Sequence, residues 1–262
     1  MGTVFEGLSD GQLMRWVEQC VLRRGRMLAR GYQGNVYFCN ENGHRLAIKE
    51  ASGRGPMRWL RCRMLRNEFM AYSRLAGIEG CPHCYALIGG RYLVLEYLEG
   101  EPLQRAEVVD RAKYYGELFC LIDELHRRGV AHFDLKRKHN LMVLPDSSPA
   151  IVDFGVAVCR KRGFAPVNHF FYDLAVKIDF NAWVKHKYRG CYGEVSVADR
   201  FYFQNTRAET LVRVLRRVSH AFRAVLPGRR SRSAVHRPVM LRGEAAGAPE
   251  RQDATKPVPQ EV

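Results

Sequence analysis

Hydrophobic residues in the first hundred positions are spaced mainly as in β-strands, with helical spacing at two places. Three short runs rich in branched and aromatic residues predict strands. They are residues 36–38, 46–48 and 92–96. Residues 60–76 instead repeat apolar side chains every three or four positions, which predicts a helix that ends at Gly77. A short amphipathic helix is predicted over residues 9–20, because Ser9 and Gln12 have the spacing of a capping box.

Helical spacing dominates the second half of the chain. The predicted elements are a helix over residues 106–128, strands over 141–144 and 150–152, and helices over 172–188 and 206–225. A sheet-rich part followed by a helix-rich part predicts an α+β fold of two lobes, with a ligand cleft between them. The predicted parts are a helical extension over 1–25, a first lobe over 26–99 and a reduced second lobe over 100–226. Residues 227–262 are rich in Arg, Pro, Gly and Ala, and they are predicted to form a disordered basic tail.

The charge balance narrows the choice of partners. The 262 residues include 42 Lys and Arg against 27 Asp and Glu, which gives a formal net charge of +15. Such a surface attracts polyanions, which include nucleic acid, an anionic membrane surface and phosphorylated glycolipids. No apolar stretch is long enough for a spanning helix, and the first residues lack the pattern of a secretory signal. The expectation is a cytoplasmic protein whose cysteines are reduced.

The candidate chemistry lies in two short motifs of the second lobe. Asp134 belongs to the sequence His-Phe-Asp-Leu, Asp153 belongs to Asp-Phe-Gly, and Asn140 lies between them. Carboxylate and amide oxygens are the ligands that Mg²⁺ prefers, and a carboxylate also serves as the base in phosphoryl transfer. In the first lobe, Lys49 ends an apolar strand and Glu68 lies on the helix predicted next. The sequence therefore predicts a phosphate- and metal-binding site built from both lobes.

In this order, and with a Gly-rich turn at residues 29–36, these motifs resemble the protein-kinase-like superfamily over roughly residues 26–180. The resemblance implies ATP and Mg²⁺ as cofactors. It also implies that the turn approaches the phosphates, that the lysine pairs with the helix glutamate, and that the backbone after the last strand meets adenine. The nucleotide-binding residues implied in this way are Gly31, Gly34, Val36, Ala47, Lys49, Glu68, Glu96 and Leu98.

The same resemblance assigns roles in the catalytic loop. Asp134 is implied to be the base that accepts the proton of the acceptor hydroxyl, and Lys136 is implied to neutralise charge on the γ-phosphate. Asn140 and Asp153 are the implied Mg²⁺ ligands. His139 stays open as an alternative to Asn140, because it stands at the usual spacing of five residues after the aspartate.

Departures from the family pattern bear on control and on the acceptor. Phe133 replaces the usual arginine, which argues against control by a phosphate on the following segment. That segment is short, and no Ala-Pro-Glu motif follows it. The reduced second lobe resembles bacterial lipopolysaccharide-core (Kdo/heptose) kinases and RIO-type kinases. By the same resemblance, Asp173 is expected to hydrogen-bond the catalytic-loop backbone.

The resulting hypothesis is an ATP-dependent kinase that acts on a hydroxyl group, narrowly favoured as a sugar hydroxyl of lipopolysaccharide core. A RIO-like serine/threonine protein kinase is the alternative, and Lys136 favours it. A nucleotide-binding pseudokinase scaffold is a third hypothesis. The basic composition adds peripheral contact with the inner face of the cytoplasmic membrane as an expectation and, on weaker grounds, RNA as a partner.

Overall fold

The computed structural model describes residues 9–24, 26–31, 34–41 and 43–203. The helix predicted over 206–225 and the tail predicted from residue 227 lie outside these ranges. In chain order the α-helices are α1 (Asp10–Gln19), α2 (Gly55–Arg74), α3 (Arg111–Arg127), α4 (Pro166–Lys187) and α5 (Val197–Arg200). The strands are β1 (Arg26–Gly31), β2 (Gly34–Glu41), β3 (His44–Glu50), β4 (Cys84–Ile88), β5 (Tyr92–Glu96), β6 (Glu101–Pro102), β7 (Val130–Ala131), β8 (Leu141–Val143), β9 (Pro149–Ile151) and β10 (Val158–Cys159). A π-helical turn over Cys20–Arg24 follows α1.

The first part of the chain is an antiparallel sheet of five strands in the order β1-β2-β3-β5-β4. Residues directly opposite one another on paired strands share a face of the sheet. Tyr37, Ile48 and Val94 are aligned in this way, and they pack with Val17 and Cys20 of the N-terminal helical segment. The helical segment therefore covers one face of the sheet.

The opposite face of the sheet belongs to a core that continues into the helical part of the chain. Leu93 and Leu95 lie in one buried cluster with Leu118 of α3 and Trp183 of α4. The Trp183 indole N–H donates a hydrogen bond to the Tyr115 carbonyl at 2.8 Å, which fixes α4 against α3. The α+β fold predicted from the sequence is confirmed.

Three helices start at residues other than those predicted, two of them earlier and one later. Helix α2 begins at Gly55 and α4 at Pro166, several residues before the predicted starts at 60 and 172, and each has a proline in its first turn. Helix α3 begins later than predicted, because the Asp110 side chain accepts a hydrogen bond from the Lys113 backbone N–H and caps it there. None of the helices in the described ranges is both long and apolar enough to cross a bilayer.

Candidate active site

A partly buried lysine joins three parts of the chain that are distant in sequence. Lys49 lies near the end of β3, and its Nζ atom is 2.5 Å from Glu68 Oε1 on α2 and 3.1 Å from Asp153 Oδ1 after β9. Burial disfavours the charged ammonium, but the two carboxylates outweigh this effect and raise the pKa of Lys49 above its ordinary value. Burial likewise opposes ionisation of Asp153, yet the Lys49 charge holds the pKa of Asp153 below its ordinary value. The site therefore contains a fixed cation and an ionised carboxylate.

Asp134 lies in the loop that follows β7. It is buried apart from a small part of its carboxylate, and Oδ2 is 3.2 Å from the guanidinium of Arg137. Its backbone carbonyl accepts a hydrogen bond from Asn140 Nδ2 at 3.1 Å. Lys136, two residues further along the same loop, is half-buried. The structure thus brings Asp134 and Asn140 together, as the motif spacing predicts.

The backbone of Val152 fixes the position of this loop relative to Asp153. The ring of His132 accepts the Asp134 backbone N–H at Nδ1, at 3.3 Å, and donates from Nε2 to the Val152 carbonyl, at 3.0 Å. The Val152 N–H in turn donates to the Asn140 carbonyl at 3.0 Å. The three oxygen-bearing side chains at 134, 140 and 153 are therefore held through one short set of hydrogen bonds. His132 is a positioning residue in this arrangement.

Asn140 carries an atom that fits a metal ion. Its Oδ1 is buried and accepts no hydrogen bond from the described residues, although buried polar atoms normally have a partner. An amide oxygen and a carboxylate are together a donor set suited to Mg²⁺, and the Asn140 carbonyl is hydrogen-bonded to the residue that precedes Asp153. His139, the alternative ligand, is exposed. The residues present therefore fit a hard divalent cation, and Asn140 and Asp153 are the ones that would hold it.

Two residues of the site, one next to Asp134 and the other Asp153 itself, have left-handed backbone conformations that non-glycine residues rarely adopt. Phe133 has φ 67° and Asp153 has φ 71°. The backbone N–H groups of His132 and Phe133 donate to the two oxygens of Asp179, at 2.7 and 2.8 Å. Asp179 is fully buried and also contacts His126 Nε2 at 3.1 Å. Its carboxylate holds the strained loop in place.

The prediction for Asp173 is wrong, because Asp173 is exposed and Asp179 binds the catalytic-loop backbone instead. The first aspartate of α4 matched the family pattern by position alone. The informative signal was Asp179 itself, a carboxylate between Ile178 and Phe180 in an apolar part of the helix. Such a residue must be paired when it is buried.

An aromatic stack joins α2 to the catalytic loop. The ring of Phe154 is fully buried, with its centroid 5.0 Å from the Tyr72 ring and 4.7 Å from the His132 ring. Tyr72 lies one helical turn after Glu68 on α2. The position of Glu68 is thereby coupled to the residues that carry Asp153 and Asp134.

The Gly-rich turn is a two-residue connection between β1 and β2, in which Gly31 pairs with Gly34. Residues 32 and 33 lie outside the described ranges. Gly34 has φ +135°, and a Cβ atom there would lie 1.9 Å from the Glu50 carbonyl oxygen. The close packing of β2 on β3 therefore requires glycine at position 34, in addition to the phosphate role expected from the sequence.

Val36 and Ala47 lie on the same sheet face as Lys49. Val36 is paired directly with Lys49, and Ala47 is paired with Leu95. This face is opposite the one that the N-terminal helix covers. Their placement agrees with the expected position of a nucleotide base and sugar, and the contact itself stays a prediction.

The backbone at the end of β5 and just after it is partly hydrogen-bonded within the protein, and its expected contact with adenine stays a prediction. The Glu96 N–H donates to the His83 carbonyl at 2.8 Å, and the Tyr97 N–H donates to the Arg45 carbonyl at 2.9 Å. The Leu98 N–H donates to no backbone carbonyl within the described ranges. The backbone of Leu98 is therefore available for a ligand.

Comparison with known proteins supports assignment to a protein-kinase-like superfamily. No protein-family model matches the chain. Over 146 residues it is 28% identical to CBL-interacting protein kinase 14 of Oryza sativa subsp. japonica. This match covers 51% of this chain and 33% of that protein. Over 152 residues it is 27% identical to CBL-interacting serine/threonine-protein kinase 2 of Arabidopsis thaliana, with 53% and 33% covered. A match of 75 residues at 35% identity to hormonally up-regulated neu tumor-associated kinase of Homo sapiens covers 26% of this chain and 10% of that protein.

The chain spans about a third of the length of the plant relatives it matches. The observed fold and these similarities together support a kinase-like α+β fold. The narrower likenesses to lipopolysaccharide-core and RIO-type kinases, expected from the sequence, receive no support from these relatives.

The role of Asp179 gives a test with a matched control on the same helix. Asp179→Asn replaces one of the two side-chain oxygens that accept backbone N–H groups with an amide N–H₂, which then faces a donor. We therefore expect a loss of about 2–4 kcal/mol in the free energy of unfolding. Asp173→Asn changes an exposed group, and we expect a change within about 0.5 kcal/mol. Urea denaturation of both variants measures the difference. Equal stabilities would contradict the assignment.

Proposed function

We propose that this chain is an ATP-dependent kinase that transfers the γ-phosphate to a serine or threonine hydroxyl of a protein. The observation that carries the proposal is the placement of Lys49 between Glu68 and Asp153. Hydrogen bonds also join Asn140 to the Asp134 carbonyl and to the backbone of the residue before Asp153. The relatives named as protein kinases support the same activity.

Lys49 supplies the fixed positive charge for the substrate phosphates. The raised pKa keeps its ammonium protonated at neutral pH, so the charge is present before ATP binds. Glu68 orients Lys49 and is a positioning residue. The sheet face that carries Val36 and Ala47 would cover the base, and the backbone of Glu96 and Leu98 would meet its polar edge.

Asp134 is the group that receives the proton of the acceptor hydroxyl. Its carboxylate forms an ion pair with the exposed side chain of Arg137, and a small part of Asp134 remains accessible to an approaching hydroxyl. A positioned base of this kind contributes about 10²- to 10⁴-fold to the rate. Lys136, from the same loop, would neutralise charge on the transferred phosphoryl group.

Asn140 and Asp153 would hold Mg²⁺, which when bound neutralises charge on the phosphates of the nucleotide. The charges of the Lys49 ammonium and its two carboxylate partners sum to one net negative charge, which favours a cation nearby. Asn140 adds an uncharged oxygen donor whose orientation is fixed by the bond from its Nδ2 to Asp134.

The acceptor is the finer part of the proposal. The sequence narrowly favours a sugar hydroxyl, and the short connection between Gly155 and the start of α4 at Pro166 agrees with that preference. The named relatives favour a protein hydroxyl instead, as does Lys136. We adopt the protein acceptor, and cytoplasmic location and RNA contact stay predictions from composition.

Phosphorylation assays with two acceptors test this function. The purified chain is incubated with labelled ATP and Mg²⁺, with a mixture of acidic and basic proteins in one arm and dephosphorylated lipopolysaccharide core in the other. We expect label on serine or threonine in the protein arm. Asp134→Asn should lower the rate by about 10²- to 10⁴-fold because the base is lost, and the exposed control Asp173→Asn should leave it unchanged.

Each other outcome of these assays assigns a different function. Label on the glycolipid alone would establish the sugar acceptor and overturn the protein acceptor. Binding of ATP without turnover in either arm would identify a nucleotide-binding scaffold.

The choice between Asn140 and His139 has its own test. Asn140→Ala removes the buried amide oxygen that accepts no hydrogen bond within the described ranges, so we expect a higher Mg²⁺ requirement and at least a tenfold loss of activity. His139→Ala alters an exposed ring and should leave the Mg²⁺ titration of activity as in the wild type. The reverse pattern would make His139 the ligand.

A further inference from the structure

A cluster of exposed aromatic and aliphatic side chains lies at the start of α4. We call Phe164, Val167, Phe170 and Phe171 the apolar tip; their exposed fractions are 98, 69, 60 and 44%. Val167, Phe170 and Phe171 have the spacing of one helical face, and the rings of Phe170 and Phe171 are 5.7 Å apart. Single exposed apolar residues are common, but a contiguous group of this size marks an interaction surface.

Cations flank the apolar tip. Arg160, Lys161 and Arg162 are all exposed, and we call them the basic rim. No aspartate or glutamate occurs between Phe154 and Tyr172. Within the described part of the chain, no ion pair joins the basic rim to a carboxylate. The surface is therefore apolar and positive together, and the exposed carboxylate of Asp173 follows it on α4.

Hydrogen bonds hold the rim and the tip in one unit. The Lys161 backbone N–H donates to Asn168 Oδ1 at 2.7 Å, and His169 Nε2 lies 2.9 Å from the Lys161 carbonyl. The Arg160 N–H donates to the Gly129 carbonyl at 2.8 Å, just before β7. The surface thus has a defined shape, and ordering it on binding costs little entropy.

The apolar tip is connected to the catalytic loop through a small buried cluster. Tyr172, one residue after the tip, is buried in a small cluster with Ala131, and Phe133 packs against that cluster. Phe133 immediately precedes Asp134. A surface that engages the start of α4 would therefore lie beside the loop that carries the proposed base.

We propose that the apolar tip and the basic rim dock the protein on an anionic lipid bilayer. A peptide site is concave and surrounds the side chains that it binds, whereas a ring that is 98% exposed has no protein wall around it. Exposed phenylalanines at a helix end, beside cations with no acidic partner, match a bilayer interface that offers acyl chains and negative headgroups. Charge complementarity and the projecting shape together favour lipid over a protein partner.

Vesicle sedimentation of the full chain tests this proposal without nucleotide, so its outcome is independent of phosphoryl transfer. Vesicles of phosphatidylcholine alone are compared with vesicles of phosphatidylcholine and phosphatidylglycerol in equal parts. We expect binding to the mixed vesicles that weakens as salt is added. Phe164→Ser with Phe170→Ser should lower the partition constant about tenfold or more, and Lys161→Gln with Arg162→Gln should lower it about 25-fold.

Matched controls separate a local site from the general positive charge of the chain. Val109→Ser with Val197→Ser removes side chains that are 88 and 86% exposed elsewhere, and Arg127→Gln with Arg128→Gln gives the same loss of charge at the C-terminal end of α3. Both controls should bind as the wild type does. Equal losses in test and control variants, or no binding by the wild type, would overturn the proposal. Binding of polyglutamate through the same residues, without vesicle binding, would assign the surface to an acidic protein.

Discussion

The Lys49 ammonium is the interaction on which the rest of the site depends. It is largely removed from solvent, so it needs negative partners, and it takes them from α2 and from the segment after β9. A cation between two carboxylates leaves one net negative charge, which a divalent cation or its bound phosphates can complete. The pairing therefore does two things. It fixes α2 against the sheet, and it prepares a charge distribution that suits a metal-bound nucleotide.

Helix α4 supports this arrangement through buried polar contacts with the loop that carries Asp134. Asp179 of α4 binds the backbone at His132 and Phe133, and His186 of the same helix lies 2.9 Å from the Leu135 carbonyl through Nε2. Burial lowers the pKa of His186 below its ordinary value, which favours the neutral ring in this contact. The left-handed backbone at Phe133 and the loop residues on either side of it are thus held by one helix. Precise placement of reacting groups commonly has such a second layer of buried polar support.

The residues of the site that lie in short motifs were predictable, because their chemistry and order along the chain are distinctive. Asp134, Asp153 and Lys49 are of this kind, and the structure brings their neighbourhoods together. Asp179 was missed because a buried carboxylate in a helix has no spacing signature, although its apolar neighbours were a usable signal. The start of α2 was missed because its first turn is exposed and carries no apolar periodicity. The start of α4 was missed although Val167, Phe170 and Phe171 have helical spacing, because the prediction began the helix only at residue 172. The apolar tip was beyond prediction for the converse reason, since hydrophobicity alone does not distinguish an exposed phenylalanine from a core one.

A double-mutant cycle on nucleotide binding tests the central claim most directly. The dissociation constant for ATP in the presence of Mg²⁺ is measured by calorimetry for the wild type, Lys49→Met, Glu68→Gln and the double variant, after urea denaturation has shown that each is folded. Because Glu68 acts through Lys49, we expect each single change to weaken binding and the double variant to bind no worse than Lys49→Met, a coupling of about 1 kcal/mol or more. Additive losses, or no effect of Glu68→Gln, would contradict the account.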